Sequence, residues 1–203
     1  MEEKNLIKEM LYLGAGLTVQ GLHKMKAMAE HFTEANEDTR KQGEEVVTNF
    51  IGKTKETTQN LKNKIDDTAH QLSEKSAMKR DEVADFLHNL VEKPGELQEE
   101  AKHKLEDLSA NLAHNANLKK QEALLWLEEL KAEISEKRDQ AISRVDEAVE
   151  RLHNESASIK EKSKSLIHDI TEKSSEIKKE LDDGLTSALD RFLAKINLTR
   201  IDK

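Results

Sequence analysis

The chain has 203 residues, of which 36% are charged and only 35% hydrophobic, with six aromatic side chains, no cysteine and a formal net charge of -8. That composition excludes disulfides, thiolate metal sites and cysteine nucleophiles, and it is too polar for a thick globular core. No basic domain stands out, with 14 against 17 acids up to residue 94 and 19 against 24 beyond it, and the stretch from Arg191 to Lys203, four basic residues and one acid, reads as a solvated helix end, so a dedicated nucleic-acid reader with a basic face is not expected.

Ala, Leu, Glu and Lys dominate and Pro94 is the only proline, which predicts an all-α protein of elongated amphipathic helices, coiled-coil-like or loosely bundled. The amino terminus opens with acids and carries Lys8 inside its first apolar run, unlike a secretory leader. No apolar stretch approaches the roughly 20 residues of a membrane span. A cytoplasmic protein is therefore expected.

A helix is expected over residues 5–34. On a heptad count Ile7, Leu11, Gly14, Thr18, Gly21, Met25, Met28 and Phe32 share one face. Glycine inside a helix costs roughly 1 kcal/mol against alanine, so Gly14 and Gly21, with Ile7, Leu11, Met25 and Met28, are expected to form a helix-packing surface where another backbone approaches closely. The alternative is a helix interrupted near Gly14. Gly14, Gly16 and Gly21 do not match a dinucleotide loop, because the third glycine comes too late and the preceding residues are helical in pattern. Asn36 suits a left-handed turn, and Thr39 with Gln42 forms a capping box. Residues 1–50 thus read as helix, turn, helix.

From Val47 onward apolar or small residues recur every 11 positions, as in Phe50, Leu61, Leu72, Val83 and in Ile65, Ser76, Leu87. Such a period is slightly longer than the helical repeat over three turns and keeps a stripe nearly straight. One amphipathic helix is expected over 39–93. Lys93-Pro94-Gly95 should break it. A second is expected over 95–182, carrying the ladder Leu97, Ala101, Leu105, Leu108, Leu112, Ala116, Ala123, Leu127, Leu130, Ile134, Ala141, Val145, Val149, Leu152, and then Ile159, Ile170 and Leu181. A short helix and tail after Gly184 complete the chain at 184–203. Weak rungs at Thr54, Thr58, Ala69, Ser163 and Ser174 leave two readings open, a loose bundle or a surface-adsorbing helix.

The most apolar window is ALLWLEEL, residues 123–130. Leu124, Trp126, Leu127 and Leu130 form a broad face that suits either the packed centre of a bundle or insertion at an apolar interface. The eight histidines form no metal-binding pair and no H-E-x-x-H. The sequence predicts no catalytic residue, no metal and no cofactor.

Residues LIKEMLYLGAGLTVQGLHKMKAMAEHF, followed by NEDTRKQGEEVV, resemble the amino-terminal module of the phasin-like proteins associated with bacterial polyhydroxyalkanoate granules and their regulation. Gly14 and Gly16 match the glycines of that pattern, and Gly43, Val46 and Val47 match directly. Asn36 replaces the turn glycine, Thr39 the serine and Gln42 the glutamate, while Asp38 departs from an apolar position. The resemblance covers about a quarter of the chain, and the basic, alanine- and proline-rich DNA-binding tail of some members is absent. It implies a non-catalytic protein that coats or organises an apolar granule or lipid surface and associates with itself or with partner helices. Two alternatives stand beside it: a coiled-coil scaffold, and a stress protectant that becomes helical when dried or adsorbed. The long remainder is similar in period to the 11-residue helices of apolipoproteins, droplet coats and late-embryogenesis proteins.

Overall fold

A computed structural model of the chain describes residues 2–17, 37–92, 99–115, 119–155 and 159–198. These form six α-helices: α1 (Glu2–Gly14), α2 (Glu37–Ser76), α3 (Arg80–Glu92), α4 (Glu99–Asn115), α5 (Lys120–Glu155) and α6 (Ile159–Leu198). No strand occurs among the described residues, and the protein is all-α, with helices packed on one another. Two compact units divide the chain, Met1–Thr58 with Arg138–Asp182, and Gln59–Lys137 with Asp183–Lys203.

In the first unit α1 ends where the opening glycines stand. The Gly16 N–H donates to the Leu13 carbonyl at 3.2 Å and the Leu17 N–H to the Tyr12 carbonyl at 2.9 Å, while Gly16 takes φ +71°. This is a Schellman termination, in which a left-handed residue just past the helix satisfies two otherwise orphaned carbonyls. Ile7, Met10, Leu11, Ala15 and Leu17 are buried. Lys4 pairs with Glu150 and Lys8 with Asp146, the latter at 2.8 Å. Four steps forward on α1 are four steps back on α5, so the two helices run antiparallel. The hydrogen bond to Asp146 is the largest influence holding the Lys8 pKa above its ordinary value, against a smaller opposing effect of desolvation.

Helix α1 therefore does not continue to residue 34, and the interruption that the sequence left as an alternative is what occurs. The cause is local: Gly16 adopts a backbone conformation that costs other residues about 1–2 kcal/mol. Gly16→Ala should lower stability by about 1 kcal/mol and the melting temperature by about 2–4 °C, whereas Gly16→Asn, which tolerates this conformation, should cost less. Equal losses by calorimetry would contradict the assignment.

In the second unit α3 folds back on α2, bringing His88 Nε2 within 3.9 Å of Asp66 Oδ1. The reversal falls at residues 77–79. Ala77 takes φ 57°, the Met78 N–H donates to Ser76 Oγ at 3.3 Å, and Asn115 of α4 donates from its side-chain amide to the Ser76 carbonyl at 3.0 Å. Helices α3 and α4 are neighbours. Glu129 pairs with Lys195 and Glu133 with Arg191, which sets α5 antiparallel to α6. The core holds Ile65, Leu72, Phe86, Leu87, Leu90, Leu108, Leu112, Leu127, Ile134, Leu189 and Phe192.

The helix expected over 39–93 is thus two helices, and the one expected over 95–182 belongs to three, α4, α5 and α6. A long single helix would leave its apolar stripe in water. A left-handed residue at a reversal costs about 1–2 kcal/mol, while each leucine buried by the return gains about 2 kcal/mol, so folding back wins. Ala77→Gly should raise stability by about 0.5–1 kcal/mol, the relief of the left-handed alanine less the greater entropy of unfolded glycine. An unchanged or lower denaturation midpoint would count against a strained reversal at Ala77.

Gly184 does not open a separate helix as expected but lies inside α6. A Cβ there would come within 2.9 Å of Lys137 Cδ, so this glycine marks a close approach of α5 and α6. Thr39 also differs from expectation. Helix α2 begins at Glu37, which puts Thr39 inside its first turn and not at its cap. Asn36, Pro94 and Gly95 lie outside the described residues.

Candidate functional site

The apolar window of α5 begins immediately after its first turn. The Lys119 carbonyl accepts the N–H groups of Glu122 at 2.9 Å and Ala123 at 3.1 Å, and Glu122 places a negative charge in that turn, where the helix dipole favours it. At 100° per residue, Ala123, Leu127, Leu130 and Ile134 fall on one side. All four are buried.

Leu125 stands about 200° around the helix from Ala123 and Leu127 by the same geometry. It is 57% exposed, the one large hydrophobic side chain so exposed among the described residues. Leu124 and Trp126 flank it, half-buried. The structure therefore divides the four residues expected to enter an apolar surface. Leu124 and Trp126 border an open apolar edge, but Leu127 and Leu130 are core residues and not surface ones. The reason is their period, since a row recurring every three to four positions is the row a neighbouring helix covers first. Sequence reading missed Leu125. Its signal was the unbroken apolar run ALLWL, which encircles the helix and cannot all face inward.

A second feature lies on α6 in the first unit. Thr171, Ser174, Lys178 and Asp182 recur at three- and four-residue steps and are all buried. The Thr171 hydroxyl donates to the His168 carbonyl at 2.7 Å and that of Ser174 to the Ile170 carbonyl at 2.8 Å. Lys178 Nζ lies 3.0 Å from Asp182 Oδ2, with the two residues only 5% and 9% exposed. A Cβ built on Gly16 would sit 3.3 Å from that ammonium nitrogen. The turn ending α1 therefore lies over a buried ion pair.

Of the six residues expected to form the helix-packing surface, Ile7, Leu11 and Gly14 are buried on α1. Gly21, Met25 and Met28 lie outside the described residues. Met10, which the heptad count passed over, is 1% exposed and belongs with them.

A groove of about 840 Å³ runs between α5 and α6 in the first unit, lined in part by Arg144, Glu147, Arg151, Asp169, Glu172 and Lys173. Its walls carry both signs of charge, which selects no ligand class. Among the described residues, no three His, Asp or Glu side chains gather as metal ligands, and no helix is long and apolar enough to cross a membrane.

Fold and sites together define an all-α protein of packed amphipathic helices, with one open apolar edge and one buried polar row. No family model, no curated protein and no solved structure matches this chain.

Proposed function

We propose that the protein is a non-catalytic coat that settles on an apolar surface, such as a polyester granule or a lipid droplet, and organises it. The observation that supports this most directly is the edge at Leu124, Leu125 and Trp126. It is the outward side of the same helix whose inward row, Ala123, Leu127, Leu130 and Ile134, lies in the core. An apolar surface touching Leu125 meets Leu124 and Trp126 on either side of it, and burying the leucine alone contributes about 2 kcal/mol. Further attachment requires inward rows to leave one another for the surface, an exchange of one apolar contact for another with little net cost in burial.

The rims of these packed rows are held by ion pairs such as Lys195–Glu129 and Lys4–Glu150, whose side chains are 40–58% exposed. Exposed pairs of this kind are each worth about 0–1 kcal/mol. They set register without locking the seams. The resemblance to phasin-like proteins points the same way.

Trp126 is the only tryptophan, so its emission reports on this edge. Wild-type protein mixed with polyester or triglyceride particles should sediment or float with them, with blue-shifted Trp126 emission and helical circular dichroism retained. Protein left in the supernatant with unshifted emission removes the coat reading. A scaffold acting through helix packing is then favoured by the burial of Leu127 and Leu130. Helix gained only on drying would favour the protectant.

A further inference from the structure

We propose that the two units open unequally, and that α1 is a releasable strap whose departure opens the first unit before the second. Three observations carry this. The first is the character of the α5 seam: in the first unit α5 buries Ala141, Val145, Ala148, Val149 and Leu152, whereas in the second it buries Ala123, Leu127, Leu130 and Ile134. Smaller side chains bury less area per helical turn and hold their seam less tightly.

The second is the buried pair Lys178 and Asp182. Removing two charges from water carries a penalty that their mutual attraction repays only partly, so that apolar replacements of such pairs are often neutral or stabilising. In the second unit the buried polar residues among those described are the neutral Thr68, Ser76 and Ser109. Among the described residues, the charge penalty falls in the unit where α5 buries the smaller side chains.

The third is the position of α1. Its terminal turn covers Lys178 through Gly16, and its rim contacts are the exposed pairs Lys4–Glu150 and Lys8–Asp146. Among the described contacts, lifting α1 rehydrates the ammonium and breaks the exposed pairs Lys4–Glu150 and Lys8–Asp146, at the expense of exposing Ile7, Met10, Leu11 and Leu17. An apolar surface would compensate that exposure by receiving those side chains. This last step rests on the coat reading, but the unequal opening does not.

Native-state hydrogen exchange on the full chain, without particles, tests the opening by itself. Amides of α1 and of residues 166–181 should exchange at least tenfold faster than those of 127–134 and 185–196. Equal rates in the two units overturn the proposal. In Lys178→Met/Asp182→Leu the exchange of α1 should slow at least tenfold, and unchanged or faster exchange in a folded variant would show that the ion pair does not drive release.

Should that variant not fold, the strap is held by other means. The chain has no cysteine, so Lys8→Cys/Asp146→Cys can be joined by a short bismaleimide. Joining should slow exchange of residues 166–181 to the rate of the second unit, and no slowing refutes the strap. With particles added, the joined form should adsorb at least tenfold more slowly than the unjoined double variant. If neither form adsorbs, the coat reading fails while the exchange result still decides the opening.

Discussion

Leu127→Ala is expected to destabilise the protein by about 3 kcal/mol, within the 2–5 kcal/mol usual for truncating a buried leucine, whereas Leu125→Ala two residues earlier should cost less than about 0.5 kcal/mol. Leu127 is 0% exposed and sits among the largest fully buried side chains. Its removal therefore forfeits transfer free energy and leaves a cavity that the neighbouring helices fill only in part. Leu125 is 57% exposed, so most of its surface meets water before and after unfolding. Urea denaturation of the two variants beside wild type measures the contrast. Similar midpoints for both would mean that α5 is rotated from the position described, and the assignment of an inner and an outer face would fall.

The second large effect concerns attachment, and it reverses the ranking of the two leucines. Leu125→Asp is expected to weaken partitioning onto triglyceride or polyester particles at least tenfold, because a lost leucine contact of about 2 kcal/mol is already more than one decade and the carboxylate adds a desolvation cost. Its stability should remain within about 0.5 kcal/mol of wild type, as is usual for surface substitutions. Trp126 emission in the particle-bound fraction and the amount of protein co-sedimenting give independent readings. Unaltered partitioning of Leu125→Asp would exclude the α5 edge as the point of attachment even if wild-type protein adsorbs. A triple substitution at Leu124, Leu127 and Leu130 would be a poorer test. Two of those positions hold the core, so lost binding could not be told from lost folding.

The opening glycines show how the sequence and the structure divide the answer. Heptad counting correctly put Ile7, Leu11 and Gly14 on one buried face, since the period of apolar residues fixes which side of a helix avoids water. It also treated Gly14 and Gly21 as a pair, and Gly21 lies outside the described residues. The position with the demanding backbone is Gly16, and only the path of the chain after Gly14, turning left-handed above Lys178, reveals it.

The 11-residue rows were likewise legible. Ile65, Leu72, Leu87, Leu105, Leu127, Ile134, Val145, Ile170, Leu181 and Phe192 are all buried, and even the weak rungs Ala69 and Ser174 are core positions. Ser76, which holds the place between Ile65 and Leu87 in its row, is the last residue of α2, and its carbonyl accepts from Asn115. A periodic pattern reports which residues point inward but carries no information on which seam they share, because the pattern is the same in one long helix and in two that fold back.

What the sequence determined by itself is the all-α class and the inward rows, each a consequence of local composition and period. The tertiary structure decided where the long stripes reverse, that Leu127 and Leu130 are covered while Leu125 is not, and that Lys178 and Asp182 lie buried beneath α1. Those outcomes depend on contacts between residues far apart in the chain. Lys178 and Asp182 look like an ordinary solvated pair on a helix until Gly16, more than a hundred and fifty positions earlier, is laid across them.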